Sequence, residues 1–577
     1  MTARRWSALT FAAVVVLLAC PGSASAHAYL VRTVPAASGV LDAPPRTVQL
    51  TYDEAVEPRF AIISVTSAAG RQETTGPVLR SSANPDTLIV AVRADLPEGW
   101  YLIYWRAISI DGHPVQGAFT YAVGPNPGPA PQFPVPSISA TATSTNLLVA
   151  RWVMFLTVMV AIGLFVLRAL IARPALAQAP AVTRRALSRA FVIVSVLGLV
   201  AVPTYLDFAT ANDSLRSVFD LGALVPLFRV TAFGRGYVDM TLCFTLFCIP
   251  AWISIWVDRP ERERRSLAEL MVTGGALLAA GAVLIIPGAT GHAGQTSPRG
   301  LTLVLDWLHL LAGSLWLGGL VGLLILWAGV PAAERVGALS VLVPRFSNVA
   351  LISVLVLLGA GVGAAVIHLP ALNALWQTSY GVAILVKIGL LYTAVFIARG
   401  NLRHARPMLI AARTRPELGE PAAGLLRRRV SAEVILVAGA VFAAGVLSSL
   451  APPPPSFALQ SSALAQVGPG RVVRTVGRAG YRLQVLLTPN QAAAPDSFSL
   501  RITKGGQPVR GASVTLTFNH TEMEMPQQQY QLTETRPGLY SRTAPALVMV
   551  GKWALGFQIT PRAGPAFNAL ILDQANG

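Results

Sequence analysis

Eight separate stretches of this chain are each long and apolar enough to cross a lipid bilayer, near residues 147–167, 190–211, 237–257, 267–287, 303–327, 346–367, 380–398 and 431–450. A span takes roughly 20 residues at about 1.5 Å each. In hydrocarbon no water serves the backbone, so each stretch must satisfy its own N–H and C=O groups, which makes it a helix. The middle of the chain is therefore expected to be an eight-helix all-α transmembrane bundle over residues 147–450. Arginine sets its orientation. The loops after the first, third, fifth and seventh stretches hold 19 arginines, against only Arg216, Arg229, Arg235 and Arg299 in the loops after the second, fourth and sixth. By the positive-inside rule the first set is cytoplasmic, which puts both termini outside a bacterial-type cytoplasmic (inner) membrane.

A net charge of +18 would suit nucleic acid, but residues 151–450 alone carry +12 of it. Most of the excess thus sits between membrane stretches and orients them, and no nucleic-acid partner is expected. At the N-terminus Arg4 and Arg5 precede an apolar run from Ala8 to Ala19 and the small-residue exit Ala24-Ser25-Ala26. Residues 1–26 thus read as a signal peptide whose cleavage makes His27 the first mature residue. Leu17-Leu18-Ala19-Cys20 offers a rival lipoprotein signal, which would leave His27 without a free amine. Cys243 and Cys248 fall within an apolar stretch, so neither exported region has an internal disulfide to draw on.

Short β-branched and aromatic runs, Val48 to Tyr52, Ala61 to Thr66, Thr87 to Val92, Trp100 to Ala107 and Gly117 to Val123, are separated by turn signals. They predict a small immunoglobulin-like β-sandwich over 27–125. Residues 126–146 are too rich in Pro, Ser and Thr to build a core and form a linker. Beyond a second linker at 451–479, runs at Tyr481 to Leu487, Ser497 to Ile502, Ala512 to Phe518, Gly538 to Arg542 and Trp553 to Ile559 predict a C-terminal β-sandwich over 480–577. The fold class is a multidomain membrane protein with a β-sandwich at each end.

The strongest chemical signal pairs His27 with Ser109-Ile110-Asp111-Gly112-His113-Pro114. A free N-terminal histidine offers its amine and its imidazole Nδ1 to one metal as a chelate. Asp111 and His113, two apart, leave an extended strand on the same face. Three nitrogens and a carboxylate suit tetragonal copper(II). No Met or Cys lies between residues 27 and 125 to supply the soft sulfur that copper(I) prefers. Together with the start His27-Ala28-Tyr29-Leu30, the stretch Trp105-Arg106 to Asp111-Gly112-His113-Pro114-Val115-Gln116-Gly117-Ala118-Phe119 resembles the CopC family of periplasmic copper(II)-binding proteins. The resemblance implies His27, Asp111 and His113 as ligands and copper as the bound ion.

Ionisable groups in a membrane stretch are costly and mark function. On the expected topology His292, His309 and His368 lie toward the outer face, with His309 six residues into the fifth stretch and Asp306 one turn away on the same face. Asp306 is placed to fix the imidazole tautomer or to ligate metal itself. Met154, Met159, Met240 and Cys243 offer a softer path deeper in. Gly291-His292-Ala293, Leu308-His309, Leu315-Trp316-Leu317-Gly318-Gly319, Thr378-Ser379-Tyr380-Gly381 leading to Lys387, and Leu450-Ala451-Pro452-Pro453 resemble the CopD family of copper-resistance membrane proteins. That resemblance implies copper passage across the inner membrane.

In Phe518-Asn519-His520-Thr521-Glu522-Met523-Glu524-Met525-Pro526, Met523 and Met525 share a strand face. With His520, and with Met549 from Leu547-Val548-Met549-Val550-Gly551-Lys552-Trp553, they make a soft set fitting copper(I). The order of these pieces is similar to the YtkA-like domain that follows the CopD part in fused copper proteins. No Walker loop, phosphorylation motif or Cys-x-x-Cys appears. The expectation is a copper-binding and copper-transport protein for uptake, homeostasis or resistance, not an enzyme, with the copper ion and the bilayer as partners and an exported chaperone or reductase beside it. A haem-type electron-transfer protein or copper reductase, and a non-conducting copper-binding protein, are the alternatives. Haem held by paired histidines is disfavoured because only His309 lies well within the bilayer.

Overall fold

The computed structural model describes residues 30–576 except 38, 53–55, 109–113, 129–130, 132, 134–143, 174–180, 215–216, 218, 220–221, 223, 226–228, 230–231, 259–263, 451, 454–456, 459–461, 522–527 and 549. The chain forms two compact units. The helices, with Thr143–Asn212 and Arg216–Ala451, make one, and the two β-domains together make the other.

The N-terminal domain is a sandwich of two four-stranded sheets. One orders β1 (Leu30–Val34), β3 (Thr47–Tyr52), β6 (Thr87–Ala91) and β5 (Leu79–Arg80); the other orders β2 (Val40–Leu41), β8 (Pro114–Val123), β7 (Gly99–Ile108) and β4 (Ile62–Ser67). Strict alternation in β3 buries Val48, Leu50 and Tyr52 against Ile103, Trp105, Phe119 and Tyr121 of the facing sheet. Trp105 meets Tyr52 edge-on at 5.6 Å. Gly117, its cross-strand partner, is fixed by that ring: a Cβ there would stand 2.7 Å from the indole. The Trp105 and Gly117 of the CopC-like motif are thus a packing pair.

β7 and β8 are covered on their second face too. Trp100, Leu102, Ala118 and Ala122 pack with Phe133 and with Ala493 of the C-terminal domain, and the Ala118 amide donates to the Val548 carbonyl at 3.3 Å. The two β-domains therefore share an apolar contact and a strand-edge hydrogen bond.

The bundle comprises α1 (Thr145–Val166, continued by a π-helical stretch to Ala172), α2 (Ala181–Ser214), α3 (Ala232–Val257), α4 (Leu267–Thr290), α5 (Arg299–Gly329), α6 (Ala332–His368), α7 (Ser379–Gly400) and α8 (Gly419–Leu447). All eight spans are long and apolar enough to cross a membrane. Several run past the apolar stretch that betrays them: α6 starts 14 residues before the expected 346 and α8 starts 12 before 431. Helical hydrogen bonding continues into polar sequence where hydropathy falls silent. Where α1 passes into its π-helical stretch, Arg168 and Arg173 pair with Asp258, just past α3, at 2.8 Å each. The Gly318-Gly319 pair is a helix contact. A Cβ on Gly318 would lie 2.5 Å from the Gly163 Cα of α1, and one on Gly319 would enter the Phe346 ring. Near the start of α1, Arg151 ties it to the end of α8, donating to the Gly445 carbonyl at 3.1 Å and to Ser448 at 3.0 Å, and to Tyr205 of α2 at 3.1 Å.

The C-terminal domain is one ten-stranded sheet folded on itself, in the order β10 (Val472–Arg478), β11 (Tyr481–Thr488), β12 (Asp496–Lys504), β16 (Leu539–Ala544), β15 (Gln528–Arg536), β14 (Ser513–His520), β17 (Gly551–Thr560), β18 (Phe567–Ala575) and β9 (Ala465–Val467), with β13 (Gln507–Pro508) paired to β12. Its core runs from Tyr481, Leu483 and Leu500 through Phe518 and Trp553 to Ile571.

Candidate functional site

α5 begins at Arg299, four residues before the expected start, so His309 lies ten residues in, about 15 Å along the helix rather than nine. There it meets two other helices. Its Nδ1 stands 3.1 Å from the Leu357 carbonyl of α6, and a carbonyl can only accept, so Nδ1 carries the proton. Nε2 then presents a lone pair, which accepts from the Lys387 ammonium of α7 at 3.1 Å. Leu357, rather than Asp306, is what holds Nδ1. Gly361, one turn beyond Leu357, makes the room: a Cβ there would stand 3.2 Å from His309 Cε1.

Asp306 rests against α4 at Gly288, where a Cβ would come within 2.5 Å of Oδ2. It lies within electrostatic reach of Lys387 and of Tyr380 and Tyr237. Helices α3 to α7 thus converge on one part-buried polar centre of carboxylate, imidazole and ammonium. Lys387 is the residue whose role here was not read from the sequence. It is the single charged side chain in the apolar run 380–398, and that isolation was the available signal.

His368 is held by partners outside this centre. His368 closes α6, its Nδ1 donating to the Ala364 carbonyl at 2.8 Å and its Nε2 facing Thr296 Oγ1 at 3.4 Å. His292 opens a single helical turn, His292–Gln295, and its side chain lies outside the described residues. Of the three expected imidazoles, His309 and His368 thus each have hydrogen-bond partners of their own. Among the described residues, no three His, Cys, Asp or Glu side chains gather closely enough to hold a metal; His309 and His368 stand on different helices, each turned to its own carbonyl. Met154, Met159 and Met240 are buried packing residues, and Cys243 and Cys248 are free thiols.

His27, Asp111 and His113 lie outside the described residues. Asp111 and His113 belong to the five-residue connection between β7 and β8, whose strands are paired up to Ile108 and Pro114. In the C-terminal domain His520 ends β14, cross-strand from Trp553 and edge-on to its indole at 5.0 Å. The residue is 1% exposed. Burial pushes the imidazole down to about 4, against a hydrogen bond with the Val550 backbone that pulls the other way. It is neutral at physiological pH, the state in which histidine ligates metal. Met523, Met525 and Met549 lie outside the described residues.

A paired, apolar-cored β-domain, eight membrane helices around a polar centre and a second β-domain define a multi-pass membrane protein, and the chain belongs to the copper resistance and transport family in which CopC, CopD and YtkA-like domains are joined. The CopC domain model matches residues 30–124, that of copper resistance protein D residues 340–447, and the YtkA-like model residues 476–557. Over 559 residues, 96% of this chain and 96% of the relative, it is 25% identical to copper transport protein CutJ of Bacillus subtilis (strain 168). Its N-terminal part is 34% identical over 107 residues to copper resistance protein C of Escherichia coli, covering 84% of that protein and 18% of this chain. The crystal structure of CopC from Methylosinus trichosporium OB3b matches at 28% identity, covering 98% of that chain and 18% of this one, with a TM-score of 0.16.

Proposed function

We propose that this protein captures copper(II) outside the cytoplasmic membrane and carries it into the bundle past His309. Capture falls to His27, through amine and imidazole, with Asp111 and His113. The donor set is hard to borderline, it lacks sulfur, and it matches the copper(II) preference for tetragonal nitrogen and oxygen. The arginine-rich loops argue that both β-domains face outward, where such an ion is met. That the full-length Bacillus relative is named a copper transport protein supports conduction over storage.

The observation that carries the reading is the His309 Nε2 lone pair, aimed between helices well inside α5 and covered by a tethered cation, Lys387. An imidazole that ammonium can occupy is one that a metal cation can occupy in its place. With no group of three His, Cys, Asp or Glu around it among the described residues, His309 serves as a point of passage, with Asp306 as the nearby negative charge. His292 and His368 are proposed as outer ligands on the way in. His520, Met523, Met525 and Met549 are proposed to hold copper(I) in the C-terminal domain, which requires an exported reductant. Copper uptake into sealed proteoliposomes tests the route: His309→Ala is expected to lower flux at least about tenfold, the effect of losing roughly 1.4 kcal/mol at the limiting site. Flux equal to that of the native chain would remove His309 from it. An intense haem absorbance in the purified protein would instead favour electron transfer.

A further inference from the structure

A second polar centre lies in the C-terminal domain, and its chemistry is not that of copper. Asp496 at the start of β12, Asp573 in β18 and Asn490 in the turn after β11 are 0%, 1% and 1% exposed. Asn490 joins the two carboxylates. Its backbone N–H donates to Asp496 Oδ1 at 2.7 Å, which also accepts from the Gln491 N–H at 3.0 Å. Its side-chain Nδ2 donates to Asp573 Oδ1 at 2.9 Å and to the Gly470 carbonyl at 2.9 Å. Every N–H of this residue is thereby used. What remains is Asp496 Oδ2, Asp573 Oδ2 and Asn490 Oδ1, three buried oxygens without a hydrogen-bond donor among the described residues.

Leaving a buried acceptor unmet is costly, and more so for a carboxylate. The charge of Asp573 acts on Asp496 and compounds it, and among the described residues no Lys or Arg acts on either. Burial pushes Asp496 up to about 7 and Asp573 up to about 6, which is the strain an occupant would relieve. The backbone is shaped around these side chains. Asn490 takes a left-handed φ of 64°, and Gly468, at φ 77°, admits the Asp573 carboxylate where a Cβ would stand 2.9 Å from Oδ1.

We propose that Asp496, Asp573 and Asn490 form a site for a hard divalent cation of the calcium class. Two carboxylates and an amide oxygen, without nitrogen or sulfur, are the ligands such an ion prefers, and its remaining positions fall to water or backbone carbonyls. The site stands apart from the proposed copper ligand His520, with Trp553 between them: His520, Trp553 and Asp573 form one cross-strand row over β14, β17 and β18. It has a structural consequence as well. The turn it closes, residues 489–495, presents Ala493 to Trp100, Leu102, Ala118 and Ala122 of the N-terminal domain, so the bound cation steadies the surface on which that domain rests.

Terbium(III), a luminescent stand-in for calcium, tests this on the full chain in lipid nanodiscs, because Trp553 beside Asp573 is placed to sensitise it. The native chain is expected to give saturable tryptophan-excited emission that calcium chloride displaces with a midpoint of about 0.1–1 mM, the range of extracytoplasmic calcium sites with few charged ligands. Asp573→Asn should weaken calcium binding at least about tenfold, and Asp496→Asn, which keeps an oxygen for the Asn490 and Gln491 N–H groups but removes the charge, should weaken it by a similar factor. Native emission that calcium fails to displace by about 10 mM would overturn the proposal in favour of a shared proton or a buried water. So would equal displacement in Asp573→Asn. Should Asp573→Asn not fold, Asp496→Asn decides alone: an unchanged calcium midpoint overturns the assignment.

Discussion

Replacing Lys387 by methionine should make the bundle bind copper more tightly. The ammonium occupies the His309 Nε2 lone pair at 3.1 Å, so a metal ion that uses this nitrogen must first break a charged hydrogen bond. Such bonds are worth about 1.5–3 kcal/mol, and for part-buried groups a discount to about 1–2 kcal/mol is appropriate. That range corresponds to a gain in affinity of about 5–30-fold. Asp306, relieved of its neighbouring cation, adds to the attraction in the same direction. The assay is a competition titration of the full chain in nanodiscs against a copper(II) chelator of known affinity, in a His113→Ala background that silences the N-terminal domain. Lys387→Arg, which keeps the charge, should show no gain, and adding His309→Ala to Lys387→Met should abolish it. Copper binding by Lys387→Met no tighter than by its parent would refute the reasoning. A gain that survives the loss of His309 would do the same.

Gly318→Val should destabilise the bundle, because its Cβ would lie 2.5 Å from the Gly163 Cα and backbone cannot rotate away; a cost of about 1–3 kcal/mol or more is expected. Native-like melting in nanodiscs would contradict it. His520, held at about 4, is protonated more readily unfolded than folded, so its contribution to stability is complete above about 6.5 and is lost as pH falls from there through 4. Hydrogen-exchange protection of β14 and β17, corrected for intrinsic rates, should decline over that window in the native chain and less in His520→Gln; parallel declines would oppose the assignment. One extra residue ahead of His27 should weaken copper(II) binding by about tenfold or more and flatten its pH dependence, since the chelating amine must first lose a proton. Unchanged affinity would argue against the amine as a ligand.

Much of the architecture was legible because it rests on patterns that a bilayer or a pleated strand imposes. Eight apolar stretches became eight helices, and the alternating runs around Val48, Trp100, Tyr481 and Trp553 became strands. Strands such as β15, Gln528–Arg536, were missed because a mostly exposed strand has no apolar face to alternate. β7 carried an unread signal. Gly99–Ile108 is apolar at both odd and even positions, as a strand covered on two sides must be, and its second cover proved to be the C-terminal domain. The polar centres were legible only in part. His309 and Asp306 share a helix face and could be paired by spacing, whereas Lys387 comes from 78 residues away and the Leu357 carbonyl has no signature at all. Asn490, Asp496 and Asp573 meet through a turn and a strand 83 residues apart, and no local motif announces them.

Copper delivery into sealed vesicles bears most directly on what this chain does. Proteoliposomes holding the native protein in known orientation, offered copper(II) on the side of the β-domains, should accumulate copper in the lumen at a saturable rate above that of protein-free vesicles. Luminal copper no higher than in empty vesicles, with the metal retained only on the outer domains, would contradict conduction.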